Sequence, residues 1–273
     1  MNLEFKLSIP QRLILSFLNS KLAIRLYTWF LWNQISKDEM PSHVGVILDG
    51  NRRWALSKGL KPWFGHNEGA QKAEDFLEWC REIGKIKTIT LYVFSTENFN
   101  RPEVEVNEIM QLIEKYLDTL ITDERIHNQK IRVKIIGKIN LLPPSLQQRI
   151  QDLENCTKHY ENYYLNLAIA YGGRAEIVDA VRDIAFAVKN TILTPAEVNE
   201  KTIEERLYTG FLPNPHPDLI IRTSGEERLS NFLPWQGAYS ELCFLDVYWP
   251  SFRKIDLMRA IRVYQQRHRR FGG

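Results

Sequence analysis

"VGVILDGNRRWALSKG", residues 44–59, sets an apolar run against Asp49, Gly50 and Asn51, and follows these at once with Arg52 and Arg53. Asp-Gly between two strands is a strong hairpin signal, and a hairpin would leave the carboxylate in a solvated turn. The residues beyond it do not alternate apolar and polar as a second strand must. They read instead as a short helix, with Asn51 at its N-cap and Gly59 as its C-terminal stop. Strand, loop and helix in succession form the unit from which parallel α/β sheets are built. At such a junction the first amides of the helix suit an anion. Arg53 adds a planar fork for phosphate oxygens, and Asp49 can share a magnesium ion with them.

The same alternation recurs along the chain. Strands are expected at 44–48, 88–94, 131–136, 164–169, 219–222 and 242–247. Between them, Ala70, Ala73, Leu77 and Cys80 recur at helical spacing, as do Ile109, Ile113, Tyr116 and Leu120. Pro143 and Pro144 open a further helix, and "GGRAEIVDAVRDIAFAVK" (172–189) begins another. Continuous apolar strands separated by helices imply a sheet covered on both faces. The expected fold is α/β, with a six-stranded, mainly parallel sheet flanked by helices. Residues 41–273 form one catalytic domain, and residues 1–40 a helical extension.

Composition narrows the function. At 273 residues and 44% hydrophobic content the chain can bury a substantial core. A formal charge of +3 makes no global field for nucleic acid. The basic tail "RAIRVYQQRHRRFGG" (259–273) has only Tyr264 and Phe271 as aromatics, too few for a base-stacking platform. Cys80, Cys156 and Cys243 lie far apart with no CxxC, which fits neither a disulfide framework nor a zinc module and points to a reducing cytoplasm. The N-terminus carries Glu4 early and lacks a signal-type cleavage site. "LAIRLYTWFLW" (22–32) is broken by Arg25 and falls short of the ~20 residues that span a bilayer. Lys6, Arg12, Lys21 and Arg25 beside Leu26, Trp29 and Phe30 describe a helix that either lies on a membrane at its cytoplasmic face or packs on protein.

In a parallel sheet, ligands bind beyond the carboxyl ends of the strands. Three such ends carry polar clusters: Asp49-Gly-Asn, Ser95-Thr-Glu-Asn and Arg222-Thr-Ser-Gly-Glu. "FGHNEGAQ" (64–71) places small residues around His66, where a backbone can approach a ligand closely. "YVFSTENFNRP" (92–102) packs Ser95, Glu97, Asn98 and Arg101 at one strand end. In "PDLIIRTSGEERLSNFLPWQGAYSEL" (217–242), Arg222 and Arg228 with Ser224 and Ser230 make a diphosphate clamp or, alternatively, an ion-pair loop with Glu226 and Glu227. Glu241 opens the last strand as a second candidate metal carboxylate. Neither a P-loop nor a dinucleotide fingerprint is present.

Together, "HVGVILDGNRRWA", "GHNEG", "FSTENFNRP", "IRTSGEERLSNFLPWQGAYSELCF" and "WPSF" resemble the cis-prenyltransferases, the undecaprenyl and dehydrodolichyl diphosphate synthase family, in family order across residues 43–252. The resemblance implies a homodimer with a hydrophobic product tunnel. It implies a Mg2+-dependent condensation of isopentenyl diphosphate with an allylic prenyl diphosphate, giving a Z-polyprenyl diphosphate. By the same resemblance Asp49 is the metal-linked carboxylate, assisted by Glu241, and Asn98 and Arg101 assist catalysis. Gly50, Asn51, Arg52, Arg53 and His66 surround the allylic diphosphate, with Trp54, Ser95, Glu97 and Phe99 also in the substrate site. Arg222, Arg228 and Ser230 hold isopentenyl diphosphate, and Arg270 and Gly272 of an RxG ending reach the partner subunit's site. The absence of DDxxD argues against the all-helical trans-prenyl synthases. Pro62 stands where many members place an arginine, with Lys61 beside it, and Val93 stands where a smaller alanine is usual. These departures open a second reading, transfer to an isoprenoid alcohol. A non-catalytic partner subunit is the third, set against the retention of Asp49, Arg53, Asn98, Arg222 and Arg228.

Overall fold

Six apolar segments pair side by side in the computed structural model, which describes residues 21–268. They are β1 (His43–Ile47), β2 (Thr88–Ser95), β3 (Ile131–Ile136), β4 (Tyr163–Tyr171), β5 (Leu219–Arg222) and β6 (Glu241–Phe244). Their order is β3-β4-β2-β1-β5-β6, and every pairing is parallel. The helices are α1 (Lys21–Ile35), α2 (Asn51–Ser57), α3 (Pro62–Ile83), α4 (Glu103–Thr122), α5 (Glu124–Asn128), α6 (Pro144–Thr157), α7 (Gly173–Lys189), α8 (Glu200–Glu204) and α9 (Lys254–His268). All of β1 is buried, as a central strand covered on both faces requires. Pro62 is the first residue of α3, where its missing amide leaves no bond unmade, and Gly84 ends that helix in the left-handed region at φ 72°.

The chain divides into two compact units. One is Pro41–Phe252, the sheet with its covering helices; the other brings α9 together with α1. Within the second unit, Gln265 donates from Nε2 to the carbonyls of Ile35 (2.9 Å) and Glu39 (3.0 Å). The Arg259 guanidinium lies 5.3 Å from the Tyr27 ring centre. Among the described residues no helix is long and apolar enough to cross a membrane.

Two aromatic clusters fix the strand ends that matter for function. Phe76 of α3 packs edge-on to Trp249 (5.7 Å) and Phe252 (6.0 Å). Trp249 donates from its indole to the Gly69 carbonyl at 2.7 Å and from its amide to the Asp49 carbonyl at 3.0 Å. The segment after β6 thus buttresses both the end of β1 and the start of α3. On the loop after β5, Phe232 stacks on Tyr92 at 4.8 Å with Tyr171 beside it.

Candidate active site

The loop after β1 is held open by Gly50, whose φ of 101° lies in the left-handed region that glycine tolerates best. A Cβ there would lie 2.8 Å from the Tyr248 ring and 3.1 Å from its Cα. Gly50, not Asn51, is the N-cap of α2, and Asn51 is the first helical residue. Because α2 runs for only seven residues, the positive charge at this junction comes from Arg52 and Arg53 more than from a helix dipole. Lys58 caps α2 and Gly59 follows at φ 70°.

Asp49 leaves β1 facing cations. Its Oδ2 accepts from Arg222 Nη2 at 2.7 Å, and its Oδ1 lies 3.5 Å from Arg53 Nη2. Burial pushes the Asp49 carboxyl up, but the hydrogen bond and charge of Arg222, with the charge of Arg53, hold it below the ordinary carboxylate range. Arg222 is buried; its Nη1 donates to Ser230 Oγ at 2.7 Å and to the Arg228 carbonyl. Arg53 donates to Ser224 Oγ and, at 3.2 Å, to Glu226. The loops after β1 and β5 are therefore bridged by charge, and both of the readings open for the second loop, clamp and ion-pair loop, have a physical part in it.

A second carboxylate, which the sequence reading passes over, organises the other side. Glu105 of α4 is buried, and its Oε1 takes Arg101 Nη1 at 3.0 Å, His66 Nε2 at 3.2 Å and Arg52 Nε at 3.5 Å. Its spacing four residues after Arg101 is the available signal. Burial lowers the His66 pKa, Glu105 opposes this, and the charges of Arg101 and Arg52 lower it further, so the imidazole is neutral near pH 7. Ser95 and Asn98 form a capping box, with Asn98 Oδ1 accepting from the Ser95 amide at 3.1 Å. Glu97 is held below the ordinary range: burial raises it, and hydrogen bonds to its own amide, Ser95, Asn231 and Thr96 lower it.

These groups line one cleft of about 490 Å3, which includes Asp49, Asn51, His66, Ser95, Glu97, Asn98, Arg101, Arg222 and Ser230. Gly50, Arg52 and Arg53 line an adjoining opening of about 330 Å3. An apolar cavity of about 140 Å3 adjoins the first cleft between α3, α4 and the sheet, and Leu48, Asn51, His66, Val93 and Ile109 border both. Among the described residues, Asn51 Oδ1 and Arg222 Nε are buried without a hydrogen-bond partner.

Several expected residues lie elsewhere. Trp54 is buried, with the Lys58 ammonium over its ring at 4.0 Å, and Phe99 packs edge-on to Phe94 at 4.9 Å; neither borders the clefts. Arg228 is exposed and pairs with Glu226 at 2.6 Å. Lys61 lies over Trp63 at 4.9 Å, outside both clefts. The small residues of "FGHNEG" serve helix packing: a Cβ at Gly65 would lie 2.0 Å from the Asn51 carbonyl oxygen, and one at Gly69 2.4 Å from Asn51 Oδ1. Glu241 pairs in register with Leu219 at the amino end of the sheet, while Arg222 pairs with Phe244. That is three residues, or ~10 Å along the strands, on the side away from Asp49, so within one chain the two carboxylates do not share an ion. Arg270 and Gly272 lie outside the described residues.

The donor set can be tested against magnesium. Among the described residues no three His, Cys, Asp or Glu side chains gather as a ligand cage. Mg2+ commonly binds through one or two carboxylates plus substrate phosphates and water. Asp49, 28% exposed and bonded to Arg222 mainly through one oxygen, fits that mode.

Comparison with known proteins agrees in breadth. A family model described as "Putative undecaprenyl diphosphate synthase" matches residues 47–272. A tritrans,polycis-undecaprenyl-diphosphate synthase (geranylgeranyl-diphosphate specific) from Methanocaldococcus jannaschii is 49% identical over 97% of this chain and 95% of its own. The protein of the same name from Methanopyrus kandleri is 52% identical over 92% of each. Among solved structures, lavandulyl diphosphate synthase from Lavandula x intermedia, in complex with dimethylallyl diphosphate, superposes with a TM-score of 0.79 at 37% identity, covering 83% of this chain and 95% of its own. A probable undecaprenyl diphosphate synthase from Campylobacter jejuni gives 0.68 at 32% identity, covering 86% and 100%. Likeness on this scale spans the sheet and the loops at its carboxyl rim alike, and the chain belongs to the undecaprenyl diphosphate synthase family of cis-prenyltransferases.

Proposed function

We propose that this prenyltransferase condenses isopentenyl diphosphate with geranylgeranyl diphosphate, in the presence of Mg2+, to give a Z-polyprenyl diphosphate. The observation that carries the reading is the junction of two unlike spaces: a cleft ringed by Asp49, Arg101 and Arg222 opens against an apolar cavity at Val93 and Ile109. One end suits a diphosphate and the other a prenyl tail. The names of the archaeal relatives support the choice of primer.

In the reaction, a carbon–carbon bond forms between the isopentenyl alkene and the allylic C1 while the C1–oxygen bond to diphosphate breaks. A proton then leaves the isopentenyl unit to restore an alkene. Negative charge grows on the departing oxygen, and groups fixed there in advance contribute most to the rate. Arg53 and Arg101 stand at the cleft for that oxygen, held by Glu226 and Glu105. Arg222 and Ser230, already joined, orient the second diphosphate. Mg2+ held by Asp49 would add positive charge to the diphosphate oxygens. The apolar cavity keeps water from the allylic carbon.

The resemblance supports a homodimer, and the exposed Leu26, Trp29 and Phe30 of α1 support contact with a membrane surface, into which a polyprenyl product partitions. The test is incubation of purified protein with labelled isopentenyl diphosphate, Mg2+ and dimethylallyl, farnesyl or geranylgeranyl diphosphate, with products read by mass spectrometry. The expected result is a Z-polyprenyl diphosphate, formed best from geranylgeranyl diphosphate and lost with EDTA. No product from any primer with folded protein overturns the reading. A product formed only when an isoprenoid alcohol replaces isopentenyl diphosphate assigns the other acceptor.

A further inference from the structure

The apolar cavity does not end in hydrocarbon. A further cavity of about 100 Å3 lies toward the amino ends of β2, β3 and β4, where Ile86, Ile89, Ile131 and Tyr163 line it. Glu74, Leu77, Tyr116, Leu120 and Leu165 border both cavities and so form the neck between them. Three of these are leucines; two are not apolar. Glu74 projects from α3 and Tyr116 from α4, and the Tyr116 hydroxyl interacts with the Glu74 carboxylate. Burial and that carboxylate push the Tyr116 pKa up, so the phenol stays protonated and remains a donor. Behind them Arg125 lies 4.0 Å from Glu74 Oε2 and is clamped by Asp123, with Nη2–Oδ2 at 2.6 Å and Nε 3.0 Å and 3.1 Å from the two oxygens.

We propose that Glu74 and Tyr116, braced by Arg125 and Asp123, form a polar neck that sets product length. The growing prenyl chain fills the upper cavity, and its leading end stops where further advance would cut this carboxylate off from Tyr116, the Arg125 charge and water. Burying an ionised carboxylate against hydrocarbon is strongly unfavourable, and leaving a buried donor unpaired adds to the cost. Glu74 is also 35% exposed, so the neck keeps contact with water. The leucines of the neck, Leu77, Leu120 and Leu165, offer the chain a wall up to that point and a passage beyond it once the carboxylate is gone. The inference rests on the condensation proposed above and names what ends it.

The experiment is a product ladder by mass spectrometry from geranylgeranyl diphosphate for wild type, Glu74→Leu and Tyr116→Phe, with the first condensation timed separately under single-turnover conditions. Glu74→Leu is expected to move the main product up by at least one five-carbon unit, and Tyr116→Phe to move it in the same direction by less. The first condensation should stay within about twofold of wild type, because neither residue borders the diphosphate cleft. If Glu74→Leu fails to fold, Tyr116→Phe decides alone, since it removes one oxygen and keeps the ring. A wild-type ladder that the variants leave unmoved overturns the neck. So does a shift that comes with a first condensation slowed about tenfold or more, which marks general disruption. A wild-type protein that makes no prenyl product overturns the condensation, and the neck with it.

Discussion

The Asp49–Arg222 bond is a measurable hinge of the site. Its length is 2.7 Å, with the Arg222 side chain 5% exposed and that of Asp49 28%. Opposite charges about 4 Å apart are worth ~4 kcal/mol at an effective dielectric of about 20. Solvent at Asp49 and the desolvation of Arg222 remove roughly half of this, which leaves a coupling of about 2 kcal/mol. Asp49→Ala alone should destabilise by about 2–3 kcal/mol, because Arg222 then keeps only the neutral acceptors Ser230 Oγ and the Arg228 carbonyl. Arg222→Met should cost less, since Asp49 retains Arg53 and water. Urea unfolding of wild type, both single variants and the double variant at pH 7 completes the cycle. The folded Asp49 pKa lies below its ordinary value of 3.8, so the folded carboxylate binds its proton less readily than the unfolded one. The stabilisation is therefore present in full above about pH 4 and is lost as pH falls through the folded value. A coupling under about 0.5 kcal/mol at pH 7, or one that persists unchanged in strong acid, would refute the account.

Gly50→Ala should destabilise by about 1–3 kcal/mol by thermal unfolding, since it meets both a left-handed backbone and the Tyr248 backbone. Glu105→Ala leaves Arg101 and His66 without their shared acceptor and should cost about 2–3 kcal/mol in denaturant; it should also move the His66 titration, followed by NMR, further below its ordinary 6.5. Calorimetric titration with Mg2+ alone should show no binding below the millimolar range, whereas inorganic diphosphate should bind more tightly with Mg2+ present, and Asp49→Ala should remove that gain.

The strands were legible because each is a continuous apolar run, and a strand covered on both faces needs nothing else. Three of the six expected runs begin at their observed first residue, 88, 131 and 219. The order β3-β4-β2-β1-β5-β6 was not legible, because equivalent apolar runs carry no label for their neighbours. At the site, residue type was informative and orientation was not. Trp54 and Phe99 stand among residues that face the clefts, yet their large apolar side chains turn inward, to the core and to Phe94. The glycines of "FGHNEG" signalled close approach correctly, but what approaches is the backbone and side chain of Asn51. Glu105 was hidden because a carboxylate in the first turn of a helix is commonplace, and only the fold brings His66 and Arg52 to it.

Glu241 shows a rule applied only in part. The reading that gathers Asp49, Ser95 and Arg222 is that parallel strands deliver their last residues to one rim. The same rule sends the first residue of a strand to the opposite rim, and Glu241 is the first residue of β6, level with Leu219. Within one chain, Asp49 and Glu97 are the carboxylates that line the cleft, Glu97 accepting from Asn231, while Glu105 is taken up by Arg101, His66 and Arg52. Four arginines, Arg52, Arg53, Arg101 and Arg222, line the cleft and its adjoining opening against the two carboxylates Asp49 and Glu97, and the negative charge this lining lacks is that of a diphosphate. Metal and substrate should accordingly bind as one unit: each supplies what the other needs, and Asp49 decides where the pair is set down.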